Sequence, residues 1–168
     1  MTVAQESGFI EYWSTDHRFG LMVSVIDIDR LIRACTRSYP NETGGIIIGF
    51  YNETLDCATI TEIVFETPDS KKGRTWFFRG IKGIQDNIHK LWSTERMYYL
   101  GEWHFHPGGT SIPSRVDINQ MLEIASASNT HCPEPILFLF SGTKSADTVI
   151  YRPYVFSKGK MFELLGVL

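Results

Sequence analysis

The stretch Gly101-Glu102-Trp103-His104-Phe105-His106-Pro107-Gly108-Gly109-Thr110-Ser111-Ile112-Pro113-Ser114-Arg115-Val116-Asp117 reads as the end of a strand, a loop and the first turn of a helix. Met97 to Phe105 has strand character, Pro107 to Pro113 is a glycine-containing loop, and from Ser114 onward Ile118, Met121, Leu122 and Ala125 give a helix its buried side. Residues two apart on a strand share a face, so His104 and His106 project together while Trp103 and Phe105 point the other way. One face offers two imidazoles and the other feeds a core. Asp117 follows one turn into the helix, and Gly108, Gly109 and Pro113 make the intervening loop a tight return.

Upstream, Phe9 to Trp13 is a candidate strand and Leu21 to Ile26 is a β-rich run. Ile28, Leu31, Ile32 and Cys35 then recur at helical spacing until Pro40 stops the helix. Gly44-Gly45-Ile46-Ile47-Ile48-Gly49-Phe50-Tyr51 reads as a strand buried on both faces, and Thr59 to Phe65 pairs with it through the polar turn Asn52 to Asp56. Glu66 to Arg74 has the composition of a mobile surface loop. Thr75 to Arg79 returns to β character, and its aromatics Trp76, Phe77 and Phe78 suit a core or a sheet edge. Ile81, Ile84, Ile88, Leu91 and Trp92 predict a further helix. Ile136 to Phe140 and Thr148 to Phe156 are late strands, and Met161 to Leu168 is an apolar tail without a clear assignment. The reading is one mixed α/β domain spanning residues 1–168, with no repeat or linker.

Composition narrows the function classes. The chain of 168 residues carries 16 basic and 19 acidic residues without a run of either sign, which gives no electrostatic footprint for nucleic acid or anionic lipid. The polar start, with Thr2, Gln5, Glu6 and Ser7, argues against a secretory signal and for a cytoplasmic protein. No apolar run approaches the roughly 20 residues of a spanning helix. Cys35, Cys57 and Cys132 form no C-x-x-C pair and read as buried free thiols.

Two histidines and one carboxylate would leave the fourth tetrahedral position of a zinc ion for water, the arrangement of a catalytic metal site. Each part also has a plainer reading. H-x-H on a strand fits two half-exposed histidines, and Ser114-x-x-Asp117 fits a helix N-cap with an acid in its first turn. Their conjunction in one short segment is what favours a metal, and both readings of Ser114 hold together. His17, His89 and His131 fall outside the pattern.

The order His104-x-His106, seven residues, Ser114-x-x-Asp117 resembles the JAMM motif of JAB/MPN metalloproteases. Pro40-Asn41-Glu42-Thr43-Gly44-Gly45, before an Ile-rich strand, is similar to that family's upstream glutamate element, and the likeness runs from about Leu21 to Phe156. The resemblance implies a mixed sheet flanked by helices in a cytidine-deaminase-like layout. It implies Zn2+ held by His104, His106 and Asp117, Glu42 as general acid/base, and Ser114 as donor to the tetrahedral oxyanion. Phe105 departs from the small polar residue usual between the histidines; pointing away from the metal face, it should alter core packing alone. Glu102 shares the histidines' face and is an alternative base or an orienting partner of His104.

The implied activity is hydrolysis of a peptide or isopeptide bond after the tail of a ubiquitin-like protein, with the 66–74 loop and the Thr75 to Arg79 strand as guide. The wording Gly-Glu-Trp-His-x-His-Pro most resembles deconjugases of anti-phage cyclic-oligonucleotide signalling (CBASS) operons. The implied partner is therefore a ubiquitin-like tail or its conjugate, including a cyclic-nucleotide synthase bearing it. Processing of a sulfur-carrier protein and a non-catalytic MPN scaffold are the alternatives.

Overall fold

The computed structural model describes residues 8–167; the polar N-terminal stretch 1–7 and Leu168 lie outside them. Along the chain come β1 (Phe9–Trp13), β2 (Gly20–Ser24), α1 (Val25–Ser38), β3 (Thr43–Tyr51), β4 (Cys57–Val64), β5 (Lys71–Lys72) and β6 (Phe77–Phe78). They are followed by α2 (Ile84–Glu95), β7 (Tyr98–Pro107), α3 (Arg115–Ser126), β8 (Ile136–Gly142), β9 (Ile150–Ser157), β10 (Lys160–Glu163) and β11 (Leu165–Gly166). Nine strands form one sheet in the order β10-β9-β8-β7-β3-β4-β2-β1-β11. The β2–β4 and β7–β8 pairs are parallel and the others antiparallel, so the sheet is mixed, as expected.

Alternation along the central strands sorts the helices onto the two faces. Ile47 of β3, Trp103 and Phe105 of β7, and Phe138 and Phe140 of β8 pack with Ile28, Leu31 and Cys35 of α1. On the opposite face Leu137 and Leu139 of β8 meet Met121 of α3, and Ile46 and Ile48 of β3 meet Ile84 of α2. The α1 sequence explains its place: Ser24 caps it by accepting from the Asp27 N–H at 3.1 Å, and its buried residues fall on one stripe. Phe105 is fully buried, so the bulky residue between the histidines serves packing. All three cysteines are buried and free.

A bulge lets β7 carry its histidines past β3. Ile47 pairs with Gly101 but Ile48 pairs with Tyr99, leaving Leu100 as the extra residue. Gly101 adopts φ 146°, and a side chain there would collide with the Ile136 backbone of β8. Only glycine fits where the two backbones approach so closely.

Three sequence expectations change. The helix read from Ile81 begins at Ile84, because Asp69 accepts from the backbone of Ile81 and Lys82 and closes a turn there, leaving Ile81 exposed. The strand read over Thr75 to Arg79 contracts to Phe77–Phe78, with Trp76 and Phe78 exposed to solvent. Thr148 ends a 3-10 turn before β9. The unassigned tail becomes β10 on β9 and β11 on β1, extending the sheet at both edges. No helix among the described residues is long and apolar enough to cross a membrane.

Candidate active site

Three elements converge at one end of the sheet. The β7 strand presents His104 and His106, α3 presents Asp117 from its first turn, and Glu42 stands just before β3. Gly44 is the cross-strand partner of His104. A side chain at that glycine would press on the Trp103 carbonyl and on the Phe77 ring, so its absence lets Phe77 close over the site. The Phe77 ring centroid lies 5.9 Å from that of His104.

His104 sits between two carboxylates. Its Nδ1 is 3.0 Å from Asp117 Oδ1 and its Nε2 is 3.1 Å from Glu42 Oε2. His106 Nε2 lies 3.3 Å from Asp117 Oδ2. Burial pushes the His104 imidazole down, but hydrogen bonds and charge from Asp117 and Glu42 together outweigh it and lift the ring to about 9. Burial likewise pushes Asp117 up, and its bonds to His104, His106 and Ser114 prevail, holding the carboxyl far below the usual range. Each ring nitrogen of His104 thus faces one carboxylate.

Ser114 and Asp117 form the capping box that the spacing suggested. The Ser114 N–H donates to Asp117 Oδ2 at 2.7 Å and the Asp117 N–H donates to Ser114 Oγ at 3.2 Å. The cap fixes the carboxylate that faces the histidines, so the structural and chemical readings of this pair coexist. Ser114 remains exposed, and its hydroxyl proton is not consumed by the cap.

Donor chemistry fits a divalent metal of borderline character: two imidazoles and two carboxylates, with one atom each of Glu42, His104 and His106 within 4.8 Å of one another. Asp117 lies outside that three-residue group and contacts both histidines, at His104 Nδ1 and His106 Nε2.

Glu102 shares the face, as alternation predicts, but its carboxylate is committed elsewhere. It accepts from Arg79 Nη2 at 2.9 Å and Gln120 Nε2 at 2.8 Å, with the Tyr99 hydroxyl at 3.4 Å. Arg79 follows β6 and Gln120 lies on α3, so this acid ties together the segments around the site. The segment read as a mobile loop folds as the β5–β6 hairpin. It is held by Lys72 on Glu66, by Ser70 on Gly80, and by the Glu42 N–H donating to the Gly73 carbonyl at 2.8 Å. Phe77, Arg79, Gln120 and the Gly73 carbonyl are site neighbours that no local pattern marks. His17, His89 and His131 are exposed and distant in role.

Two histidines on a central strand and acids on the adjoining capped helix and before β3 form a donor set suited to a metal ion. Residues 25–153 match the family described as prokaryotic homologs of the JAB domain. A relative from Enterobacter hormaechei subsp. hoffmannii (strain UCI 50), named "CD-NTase/cGAS isopeptidase", is 40% identical over 124 residues, covering 74% of this chain and 68% of its own. A "Probable metalloprotease y4qB" from Sinorhizobium fredii (strain NBRC 101917 / NGR234) is 24% identical over 118 residues, covering 68% and 71%. Solution structures of proteins from Desulfitobacterium hafniense and Salinibacter ruber share the fold. Their TM-scores are 0.59 and 0.55, at 14% and 12% identity, covering 84% and 83% of this chain and 87% and 85% of theirs. The chain belongs to the prokaryotic JAB family and is a hydrolase of its metalloprotease type.

Proposed function

We propose that this chain is a zinc-dependent isopeptidase that cleaves after the C-terminal tail of a ubiquitin-like protein, freeing it from a conjugate in bacterial anti-phage CBASS signalling. The carrying observation is the convergence of Glu42 from just before β3, His104 and His106 from β7 and Asp117 from α3 into one cluster. The relative named for CD-NTase/cGAS isopeptidase activity supports a nucleotide-synthase conjugate as partner.

His104, His106 and Asp117 would hold the zinc, a set supported by the resemblance of His104-x-His106 and Ser114-x-x-Asp117 to the JAMM motif and by the family match. When bound, zinc supplies Lewis-acid polarisation of the scissile carbonyl and acidifies water. Glu42 takes the proton of the attacking water and returns it to the departing amine nitrogen. The Ser114 hydroxyl, accepting from the Asp117 N–H, keeps its own proton for the developing oxyanion, worth about 3 kcal/mol in comparable arrangements. The substrate tail runs beside the hairpin, whose strand β6 pairs with β5 alone among the described residues.

The test is incubation of the zinc-loaded protein with a conjugate of its cognate ubiquitin-like partner, read by product mass. The expected product ends at the tail's terminal residue, and the double variant His104→Ala, His106→Ala leaves the conjugate intact. An intact conjugate with the wild type, or equal cleavage by the double variant, overturns the reading. Cleavage confined to a C-terminally extended precursor would assign the site to precursor processing.

A further inference from the structure

A groove of about 440 Å³ lies away from the metal cluster. It lies on the opposite, α1 face of the sheet, between α1, the end of β4 and the β5–β6 hairpin. Four cations line it, Arg30, Arg33, Arg37 and Lys72, against one carboxylate, Glu66, in a chain whose net charge is -3. Residues three, four and seven apart stand together on a helix, so the three arginines form one stripe along α1. Their neighbours differ. Arg30 is paired with Asp27 at 2.8 Å and lies over the Phe65 ring, while Lys72 bridges Glu66 at 2.8 Å and the Ser38 hydroxyl at 3.2 Å. Arg33 and Arg37 are exposed and make no ion pair among the described residues.

We infer that this groove is a docking site for an acidic peptide segment of the conjugate, held apart from the metal cluster by the thickness of the sheet. Spacing argues for a peptide over a compact anion. From Arg30 to Arg37 the stripe covers about 10 Å at the helical rise of 1.5 Å per residue. That is the length of about three residues of extended chain. A phosphate asks for donors that converge on one point, whereas these are strung along a line. The floor is amphipathic, with the half-buried Phe65 ring beneath Arg30 among the charges, which suits a chain carrying both carboxylates and apolar side chains. Position links the groove to turnover. Thr43 lines it and hydrogen-bonds Glu66 at 2.8 Å, and Thr43 directly follows Glu42, whose side chain enters the metal cluster on the other face. Lys72 belongs to the hairpin whose Gly73 carbonyl receives the Glu42 N–H. A segment seated in the groove therefore sits one residue of backbone from the proposed base, and it touches the hairpin that covers the site. The naming of the ligand as part of the conjugate rests on the isopeptidase reading; the affinity for an acidic peptide does not.

The experiment uses the full chain with the double charge reversal Arg33→Glu, Arg37→Glu, two exposed positions outside the metal cluster. Fluorescence anisotropy of a labelled Glu-rich hexapeptide is read first, with inorganic pyrophosphate as competitor, and cleavage of the conjugate second. We expect the peptide to bind the wild type, to bind the variant about tenfold more weakly, and to release as ionic strength rises, since exposed charge pairs are screened within about 10 Å at 0.1 M salt. We expect kcat/KM on the conjugate to fall about tenfold in the variant through KM, with kcat retained. Equal peptide binding by wild type and variant, or pyrophosphate displacing the peptide at concentrations at which it binds as tightly itself, overturns the proposal. If the peptide binds as expected and no conjugate is cleaved, the groove stands and the isopeptidase reading fails. If the conjugate is cleaved equally by both proteins, the groove plays no part in substrate use and the proposal fails alone.

Discussion

Glu42 and Glu102 are buried acids near the same face of the sheet, and what each accepts separates their roles. Glu42 meets His104 Nε2 at 3.1 Å, while Glu102 is occupied by Arg79 at 2.9 Å and Gln120 at 2.8 Å. A base must have a lone pair free for the reacting proton, which favours Glu42. Glu42→Gln keeps the volume and most hydrogen bonding but cannot take up that proton, so kcat should fall about a hundredfold to ten-thousandfold with zinc retained. Glu102→Gln removes the charge opposite Arg79, whose Nε already lacks a partner, and should destabilise the fold by about 1–3 kcal/mol. The Glu102 carboxylate is bonded to Arg79 and Gln120 and to no proposed ligand, so the variant's kcat should stay within about tenfold of wild type, short of the roughly tenfold to hundredfold loss typical of residues that orient a metal ligand. Zinc content, denaturation midpoint and initial rate of both variants in one buffer decide the matter. A dead Glu102→Gln with full zinc beside an active Glu42→Gln would move the base onto β7.

The element that departs most from its sequence reading is the 71–78 hairpin. Composition presents Lys71 to Gly73 as dispensable surface, yet the Gly73 carbonyl accepts from the Glu42 backbone and Phe77 packs over His104. Removing those three residues should therefore lower kcat as well as raise KM, because the base loses its backbone anchor. The exposed aromatics give the cleaner probe of substrate guidance. Trp76 and Phe78 are 52% and 63% exposed, placed on the insertion beside the site, and neither contributes to the buried core. Replacing both with Ser should leave stability within about 0.5 kcal/mol, as for surface substitutions generally. The same pair should raise KM on the full conjugate about tenfold or more if they contact its ubiquitin-like body, since buried aromatic anchors carry most interface energy. Steady-state kinetics on the conjugate and on a short tail peptide separate the effects. An unchanged KM on the conjugate would show that substrate does not cross this hairpin.

Across the whole molecule, what was legible in the sequence was what local chemistry determines. Alternation placed His104 and His106 together and sent Trp103 and Phe105 inward, and the Ser114 to Asp117 interval announced a capping box that the fold contains. Glu42 lies 62 residues from His104 and could be placed only by family resemblance, because no periodicity spans that interval. The Arg79–Glu102–Gln120 network and the hairpin were hidden for the same reason: their partners are distant, and two-residue strands carry no pattern. The short edge strands β10 and β11 are likewise set by neighbours already in the sheet. That long-range construction gives the metal a global role. Its proposed ligands come from β7 and α3, with the base anchored before β3, so a bound cation would cross-link elements that otherwise meet through contacts between two carboxylates and two imidazoles. A ligand that binds only the folded state stabilises it by about 2.7 kcal/mol at one hundred times its Kd. For a chain of this size that corresponds to a Tm rise of roughly 5–10 °C. We therefore expect chelator-treated protein to melt lower than the zinc-loaded form, full recovery on adding one equivalent of zinc, and no zinc response in the His104→Ala, His106→Ala variant. Calorimetric melts of the four samples, with metal content measured on each, provide the check. A wild-type Tm indifferent to zinc, or near-stoichiometric zinc in the double variant, would place the cation somewhere other than this cluster.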